Sequence, residues 1–302
     1  MESVVEINDL KKSFKGFGLD IPDLKIPKGF ATALIGENGA GKTTLLNCIA
    51  GVRLDYKGHI RYFEKWQDEE RDREESGVRE NIGYLGSGLY FLPHWNIDQI
   101  EELSGLLFEH FHPERYRQLC RDLAIVSSET SRKKVSELSD GNRMKLMLAA
   151  VFARETSLLT LDEPASPLDP VMRERLCEMI REYLEDGNGE KSVLFSTHNI
   201  SDMENVTDYA MIIEQGRVAE QGFVEDLKEK YILVKGEAED AEAAKTVLYS
   251  ISESRYGFEG LCLAEDLDRL TGIRVNLERP SLFQISVAVM KRNSLLKRGM
   301  ER

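Results

Sequence analysis

Short, almost wholly apolar runs alternate with longer amphipathic segments along most of this chain. The runs at residues 31–35, 157–161 and 192–196 predict buried strands, because strands covered on both faces carry few polar residues. Apolar residues recur at helical spacing from residue 96 to about 154, where Asn96 is placed to cap a helix, and again after Pro170. Strands that alternate with helices predict an α/β fold with a parallel sheet.

Weaker patterns outside these runs predict further strands and a C-terminal region of different character. The strands are expected at residues 4–10, 17–26, 58–63 and 82–85, with a hairpin around Gln215 and Gly216. The first two are expected to be edge strands of an antiparallel β subdomain.

The pattern changes near residue 230. Beyond it, residues 231–234 predict a strand, 237–248 an acidic helix and 281–290 a final helix. We therefore expect a main domain at residues 1–230, with a helical subdomain at about 87–155, and a small α+β accessory region at 231–302.

A glycine-rich loop follows the strand predicted at residues 31–35. The sequence from Gly36 to Thr43 fits the phosphate-loop pattern G-x-x-x-x-G-K-[ST] in full and leads into a predicted helix. Backbone N–H groups of such a loop and the positive end of the helix dipole bind phosphate oxygens. We therefore predict a nucleoside triphosphate site formed by Asn38, Gly39, Ala40, Gly41, Lys42, Thr43 and Thr44. Lys42 is expected to reach the outer phosphates, and the Thr43 hydroxyl to ligate Mg²⁺.

The predicted strand at residues 157–161 ends in two carboxylates, Asp162 and Glu163. Mg²⁺ needs an acidic ligand at a strand end beside a phosphate loop, so we expect Asp162 to be that ligand. Glu163 is expected to polarise an attacking water. The alternative is a strand that merely ends in a polar turn, which the phosphate loop upstream disfavours.

Composition argues against several other classes of protein. The chain has 302 residues and a formal net charge of −13, whereas a protein whose main partner is nucleic acid usually carries a basic face. No apolar run approaches the length of a membrane span, and the acidic N-terminus is unlike a signal peptide. The four cysteines form no C-x-x-C pair, so they are expected to be buried thiols in a reducing cytoplasm.

Three further motifs follow the phosphate loop in a characteristic order. They are Leu138-Ser139-Asp140-Gly141-Asn142, Ser166-Pro167-Leu168-Asp169 and Ser196-Thr197-His198. Together with Phe14, they resemble the signature sequence, the D-loop, the switch histidine and the adenine-stacking aromatic residue of ATP-binding-cassette (ABC) proteins. The resemblance covers about residues 1–230, so that part of the chain is similar to the ATP-binding domain of this family.

The resemblance implies an ATPase that forms a head-to-tail dimer with two ATP molecules at its interface. On each ATP, Lys42, Mg²⁺ and His198 would stabilise charge while Glu163 activates water. Ser139 and Gly141 of the facing subunit would close over the γ-phosphate, and Asp169 would lie at the dimer contact. The dimer partner is either a second copy of this chain or a different cassette.

Three of these residues also have simpler interpretations. Phe14 fits a core aromatic residue at a strand end, and His198 fits a buried core histidine. Asp169 precedes Pro170 and fits a helix cap, a role that is compatible with a dimer contact.

The sequence departs from the family pattern at the predicted metal site and in the signature. After residues 82–85 the family usually has a glutamine that contacts Mg²⁺ and the attacking water, whereas this chain has Ser87. We expect metal sensing there to be weakened or to pass through water at Ser87. In the signature, Asp140 replaces a common glycine and places a negative charge near the facing phosphates, and Asn142 replaces glutamine.

Two segments between the core and the helical subdomain have open interpretations. The aromatic stretch at residues 89–95 is either a docking surface for a membrane subunit or packing for the helical subdomain. The charged run at residues 64–80 is expected to be a solvated loop or helix face.

The resemblance implies an ATPase subunit that powers a separate integral membrane permease from the inner face of the cell membrane. It would be cytoplasmic and peripheral to the membrane. Alternatives are the ATPase subunit of a small-solute importer, a soluble cassette ATPase that acts on ribosomes or DNA, and an inactive regulatory cassette. The acidic balance and the single cassette disfavour the soluble class.

The C-terminal region contains a motif that bears on the direction of transport. Residues 279–285, Arg-Pro-Ser-Leu-Phe-Gln-Ile, resemble the P-S-L-E-D-I ending of ATPase subunits in bacterial drug and antimicrobial-peptide exporters, although Phe283 and Gln284 replace its two acidic residues. This partial match favours export. The basic tail from Lys291 to Arg302 is either a frayed, solvated end or a contact to anionic lipid.

Overall fold

The computed structural model describes residues 2–63, 76–86, 88, 91–125, 133–270 and 272–300. The strands are β1 (Ser3–Phe14), β2 (Phe17–Pro27), β3 (Ala31–Ile35), β4 (Lys57–Tyr62), β5 (Ile82–Leu85), β6 (Leu158–Leu161), β7 (Ser192–Thr197), β8 (Tyr209–Glu214), β9 (Arg217–Phe223), β10 (Tyr231–Gly236), β11 (Tyr249–Ser254), β12 (Gly257–Leu263) and β13 (Val275–Glu278). The helices are α1 (Lys42–Ile49), α2 (Ser76–Glu80), α3 (Ile97–Leu107), α4 (Pro113–Asp122), α5 (Asp140–Phe152), α6 (Pro170–Asp186), α7 (Val224–Lys230), α8 (Ala241–Ala244) and α9 (Leu282–Met300).

A six-stranded sheet forms the centre of the molecule, in the order β5-β6-β7-β3-β8-β9. Its strands are parallel except for β9, which returns antiparallel to β8 through the turn at Gln215 and Gly216. The three apolar runs seen in the sequence are β3, β6 and β7, and almost every residue in them is buried. The predicted α/β fold with a parallel sheet is confirmed.

The antiparallel β subdomain is a three-stranded sheet in the order β2-β1-β4. The expectation that residues 4–10 form an edge strand is wrong, because β4 pairs with β1 on the side opposite β2. Alternation of apolar and polar residues reports which face of a strand is buried and does not report how many neighbours it has. Apolar residues of this sheet share one cluster with Leu45, Leu46 and Ile49 of α1.

The helical region contains α3, α4 and α5. Asn96 caps α3 as predicted, since its side chain accepts from the Gln99 N–H and the Gln99 side chain accepts from the Asn96 N–H. Phe91 and Trp95 pack against the main apolar cluster, which is the packing interpretation of the aromatic stretch for these two residues. Residues 89 and 90 of that stretch, and 64–75 of the charged run, lie outside the described residues.

The C-terminal region is a four-stranded antiparallel sheet in the order β11-β12-β10-β13. The helix expected at residues 237–248 is wrong for most of its length, because only a 3-10 turn at Ala238–Asp240 and the short α8 form there. The final helix, α9, is longer than expected. Its Leu282 and Ile285 belong to the apolar cluster of the main sheet, so packing crosses the boundary expected at residue 230.

Two expectations from composition concern the cysteines and the membrane. The four cysteines are free and buried, as expected. Burial raises the pKa of the Cys48 thiol to about 11. Across the part of the chain that the structure describes, every helix is too short or too polar to cross a bilayer.

Candidate active site at the carboxyl edge of the sheet

Three neighbouring parallel strands end at the same edge of the central sheet. Ile35 of β3 pairs with Thr197 of β7, and Leu161 of β6 pairs with Phe195. Because parallel strands share one carboxyl edge, the residues that follow them converge there. The register therefore brings the phosphate loop, the two carboxylates after β6 and the histidine after β7 together.

The loop between β3 and α1 has a conformation that glycine favours. Gly39 and Gly41 have φ angles of 84° and 110°, in a region that side chains with a Cβ rarely adopt. A Cβ on Gly41 would also lie 2.9 Å from the ring of Phe17. Asn38 and Gly39 are exposed on the outer side of the loop, whereas Ala40 is buried beneath it.

Lys42 begins α1 and is only 5% exposed. Its Nζ donates to the carbonyl oxygens of Gly36 at 2.7 Å and Glu37 at 3.2 Å, and it lies 3.2 Å from Glu163 Oε1. A buried ammonium is stable only with such partners. The same group is positioned to contact an anion in the cleft beside the loop.

Asp162 is buried and held from two sides. Its Oδ2 accepts from the Thr43 hydroxyl at 2.8 Å, and its Oδ1 accepts from the Ser196 hydroxyl at 2.6 Å. Ser196 Oγ in turn accepts from the backbone N–H of Glu163 at 2.9 Å. A carboxylate and a hydroxyl in contact are an oxygen donor set that suits Mg²⁺.

Glu163 and His198, which follow β6 and β7, form a pair. His198 Nδ1 lies 2.7 Å from Glu163 Oε2, and the histidine side chain is 46% exposed, so the interpretation of His198 as a core residue is wrong. Glu163 Oε1 is buried and, among the described residues, accepts no hydrogen bond, although Lys42 Nζ is near it. Glu163 also has a φ of 50°, an uncommon backbone conformation for a residue other than glycine.

A cleft of about 570 Å³ lies over the phosphate loop. Phe14 stands at its rim with 40% of its surface exposed, so the interpretation of Phe14 as a core residue is wrong. The cationic groups of Lys12 and Arg53 each lie 5.2 Å from the Phe14 ring centroid. The lining also includes Phe17, Asn38, Gly39, Gly41, Lys42, Thr43, Thr44, Asp162 and Glu163.

The signature and the D-loop lie on other elements. Ser139 caps α5 by accepting from the Asn142 N–H, and Asp169 caps α6 by accepting from the Met172 N–H, so the predicted capping role of Asp169 is seen. A Cβ on Gly141 would lie 3.1 Å from the Pro167 carbonyl oxygen, which places the two motifs side by side. Ser139, Gly141 and Asp169 are absent from the lining of the cleft over the phosphate loop.

One predicted site residue lies outside the described residues, and two residues in or beside the site were not predicted. Ser87, the predicted metal contact, is outside the described residues. Ser196 bridges Asp162 and Glu163. The sequence signal for this role was a hydroxyl near the end of the apolar strand β7, which lies beside β6. Tyr84 donates to Asn47 Oδ1 on α1 at 2.5 Å, and burial, assisted by the charge of Asp162, raises the Tyr84 pKa to about 12.

The chain is similar to known proteins in sequence and in fold. A family model described as ABC transporter matches residues 19–166. The tungstate uptake system ATP-binding protein TupC of Peptoclostridium acidaminophilum is 32% identical over 217 residues, which are 72% of this chain and 97% of that protein. The daunorubicin resistance ATP-binding protein DrrA3 of Streptomyces coeruleorubidus is 31% identical over 70% of this chain and 65% of that protein. A solved ATP-binding subunit of an ABC transporter superposes with a TM-score of 0.64 at 24% identity, over 75% of this chain and 92% of that one.

Proposed function

The chain belongs to the family of ABC transporter ATP-binding proteins, and from this premise we propose that it hydrolyses ATP to drive a separate membrane permease. ATP-binding subunits of this family are ATPases that work with membrane components. The observation that carries the proposal is the cluster of Lys42, Thr43, Asp162, Glu163 and His198 at one edge of the sheet.

Binding of ATP is assigned to the phosphate loop and Phe14. The loop N–H groups and the α1 dipole bind the phosphates, and Phe14 stacks on adenine at the rim of the cleft. Lys42 Nζ exchanges its contacts with the Gly36 and Glu37 carbonyls for the outer phosphates. Thr43 and Asp162 are the residues that would hold Mg²⁺, since their oxygens already meet at 2.8 Å. Bound there, the metal supplies positive charge to the phosphate oxygens during hydrolysis.

Hydrolysis is assigned to Glu163 and His198. Glu163 Oε1 accepts no hydrogen bond among the described residues, and its neighbour at 3.2 Å is Lys42 Nζ, which turns to the phosphates when ATP binds, so we assign this oxygen to orienting the attacking water. His198 holds the other oxygen, and with Nδ1–H donating to Glu163 its Nε2 is turned away from that carboxylate. The uncommon φ of Glu163 is consistent with a residue held in place for function. Water then attacks the γ-phosphate in line and gives up a proton toward Glu163, while the bond to the leaving ADP breaks and Lys42 stabilises the developing charge.

A second cassette is required to complete the site. The exposed Ser139 and the half-buried Gly141 at the start of α5 are absent from the lining of their own chain's phosphate cleft. We assign them, with the dipole of α5, to the γ-phosphate of a facing subunit, and Asp169 to the dimer contact. The protein is then a cytoplasmic, membrane-peripheral dimer.

Export is the proposed direction, on the strength of residues 279–285. The structure adds a second explanation for this segment: Ser281 and Gln284 form a reciprocal cap at the start of α9. Gln284 therefore keeps the capping role that an acidic residue would have at that position. Import is the second candidate, because the tungstate uptake relative is as similar to this chain as the daunorubicin resistance relative.

The test is affinity purification of the Glu163→Gln variant from native membranes in ATP, followed by mass spectrometry. The variant is expected to trap the closed dimer with a polytopic membrane protein. A solute-binding protein alongside would favour import, and its absence export. The matched control is the Glu163→Gln/Lys42→Ala variant, which is expected to lose the complex. Recovery of ribosomes or DNA-repair proteins without a membrane protein would contradict the proposal.

A further inference from the structure

An ion pair between Asp140 and Arg143 lies at the start of α5, in the segment that we assign to the facing ATP. The Asp140 side chain is 86% exposed, and its Oδ1 lies 3.0 Å from Arg143 Nη1 one turn later. A carboxylate in the first turn suits the helix itself, because it faces the positive end of the dipole. The same carboxylate opposes the approach of a triphosphate, since it weakens the positive potential that the helix end offers.

Arg143 is held in place by more than Asp140. Its Nε donates to the Val135 carbonyl oxygen at 3.1 Å, and its Nη2 donates to the Ser136 carbonyl oxygen at 3.0 Å. The guanidinium thus joins the 3-10 turn at Val135–Glu137 to the first turn of α5. A planar guanidinium with all three nitrogens bonded has little freedom, so its charge stays beside Asp140.

The pair also lies close to the catalytic carboxylates. A cleft of about 400 Å³ is lined by both members of the pair and by Asp162 and Glu163. Among the described residues of that lining, Arg143 is the one cation. The position of its charge therefore influences how strongly this side of the molecule repels a polyanion.

We propose that Arg143 is a positioning residue that holds the Asp140 carboxylate along α5 and offsets its charge, so that the signature segment accepts the ATP of a facing subunit. This inference rests on the proposed function. It predicts that loss of Arg143 harms dimer closure only while Asp140 is present. Because the pair is exposed, salt screens its charges, so the effect of Arg143 on dimer closure should weaken as salt is raised.

The experiment measures ATP-dependent dimerisation in the Glu163→Gln background by analytical ultracentrifugation, at low and at physiological salt. We expect R143Q to weaken the dimer about tenfold, because an uncompensated carboxylate then faces the phosphates. The double variant D140G/R143Q should return to within about twofold of the parent, and R143K, which keeps the charge, should lose less than R143Q. ATP affinity of the monomer should not change in any of them.

The matched control is R175Q. Arg175 on α6 makes the same type of pair with Glu178, also at 3.0 Å and three residues apart, and its loss should leave dimerisation unchanged. Thermal unfolding of every variant separates dimerisation from folding. An R143Q dimer as tight as the parent, or a double variant as weak as R143Q, would overturn the inference; the second result would mean that Arg143 acts only by holding the turn at Val135–Glu137. A parent that stays monomeric in ATP would instead contradict the proposal that two copies of this chain complete the ATP site, and this inference would fall with it.

Discussion

Two regions of this molecule are built by different kinds of contact. At the carboxyl edge of the central sheet, polar groups bond to one another across strand ends: Thr43 and Ser196 both donate to Asp162, and His198 pairs with Glu163. These side chains bond to each other around a cleft, and their register comes from the parallel strands beneath them. Their arrangement is therefore sensitive to the loss of a single hydrogen-bonding atom.

The C-terminal region is instead held by apolar packing. Leu233 and Leu261 of its sheet share an apolar cluster with Ile285 of α9, and that cluster continues into the main sheet. The difference teaches that function and stability are specified in separate places. Substitutions at the edge should change binding and catalysis more than folding, and substitutions under α9 should do the reverse.

The largest expected effect is that of Lys42→Ala on ATP binding. We expect affinity to fall about a thousandfold, or ~4 kcal/mol, because a charge-assisted contact to the outer phosphates is lost. Titration with a fluorescent ATP analogue measures it. The control is Lys28→Ala, since Lys28 is paired with Glu2 and Glu190 at 3.1 and 2.8 Å, away from the cleft. Unchanged affinity in Lys42→Ala would refute the assignment of the phosphate loop.

The opposite pattern, a loss of stability without a loss of ATP affinity, is expected for Ile285→Ala. This change truncates a fully buried side chain of α9. The free energy of unfolding should fall by about 3 kcal/mol, because a cavity is left in the shared cluster. ATP affinity of the folded protein should stay within about twofold, since no cleft contact changes. Urea denaturation checks the first expectation. Phe283→Ala, at a partly exposed site on the same helix, is the matched control and should cost far less. Equal losses of stability and ATP affinity in Ile285→Ala would break the comparison.

Two serines on β7 sharpen the comparison between residues that serve function and residues that serve stability. Ser196 binds Asp162, whereas Ser192 accepts from the Gly29 N–H at 2.9 Å at the other end of the strand. Ser196→Ala removes a donor from the buried Asp162 carboxylate, and Ser192→Ala removes the acceptor of the part-buried Gly29 N–H, so each change should cost about 1–2 kcal/mol of stability. Only Ser196→Ala should raise the Mg²⁺ concentration for half-maximal ATPase activity, by about tenfold, because it orients a metal ligand. An equal Mg²⁺ response in both variants would show that Ser196 is merely structural.

The smallest expected effect is on the pH dependence of stability, where β9 of the main sheet contacts the start of the C-terminal region. Burial by itself raises the pKa of Glu220, but hydrogen bonds from Lys230 and Tyr231 outweigh it, so the pKa lies below its ordinary value of 4.5. Such a carboxylate stabilises the fold above the unfolded pKa, and this contribution is lost as pH falls through the folded pKa. Glu220→Gln should therefore remove part of the acid sensitivity, by less than ~1 kcal/mol.

Urea midpoints at neutral and acidic pH measure this difference. The comparison variant is Glu229→Gln, which alters an exposed carboxylate on α7 and should behave as wild type. An identical acid response in wild type and Glu220→Gln would remove Glu220 from the account.

Sequence patterns predicted the functional edge better than the C-terminal region. Buried parallel strands are apolar throughout, and the loop after β3 needs glycine where φ is positive, so both leave clear signals. The hydrogen bonds between individual side-chain oxygens could not be predicted in this way. Ser196 was visible in the motif with His198, but its bridge to Asp162 depends on strand order, which the sequence does not state.

Of the four strands in the C-terminal sheet, only β10 was predicted, and the other three were missed for physical reasons. β11 has the sequence Tyr-Ser-Ile-Ser-Glu-Ser and is mostly polar, so its strand character depends on pairing with β12. Residues 237–248 are rich in alanine and glutamate and favour a helix locally. In the fold, Ala244 and Leu248 pack in the small apolar cluster of this region with Phe258, and the chain turns into β11 instead of continuing as a helix.

The central claim is that two chains complete each ATP site, and the concentration dependence of turnover tests it most directly. ATP hydrolysis per subunit should be measured over a wide dilution series of the wild-type protein, with light scattering in the presence of ATP to report its size. The account predicts that turnover falls on dilution as the dimer dissociates. Full turnover from a protein that remains monomeric in ATP would contradict it.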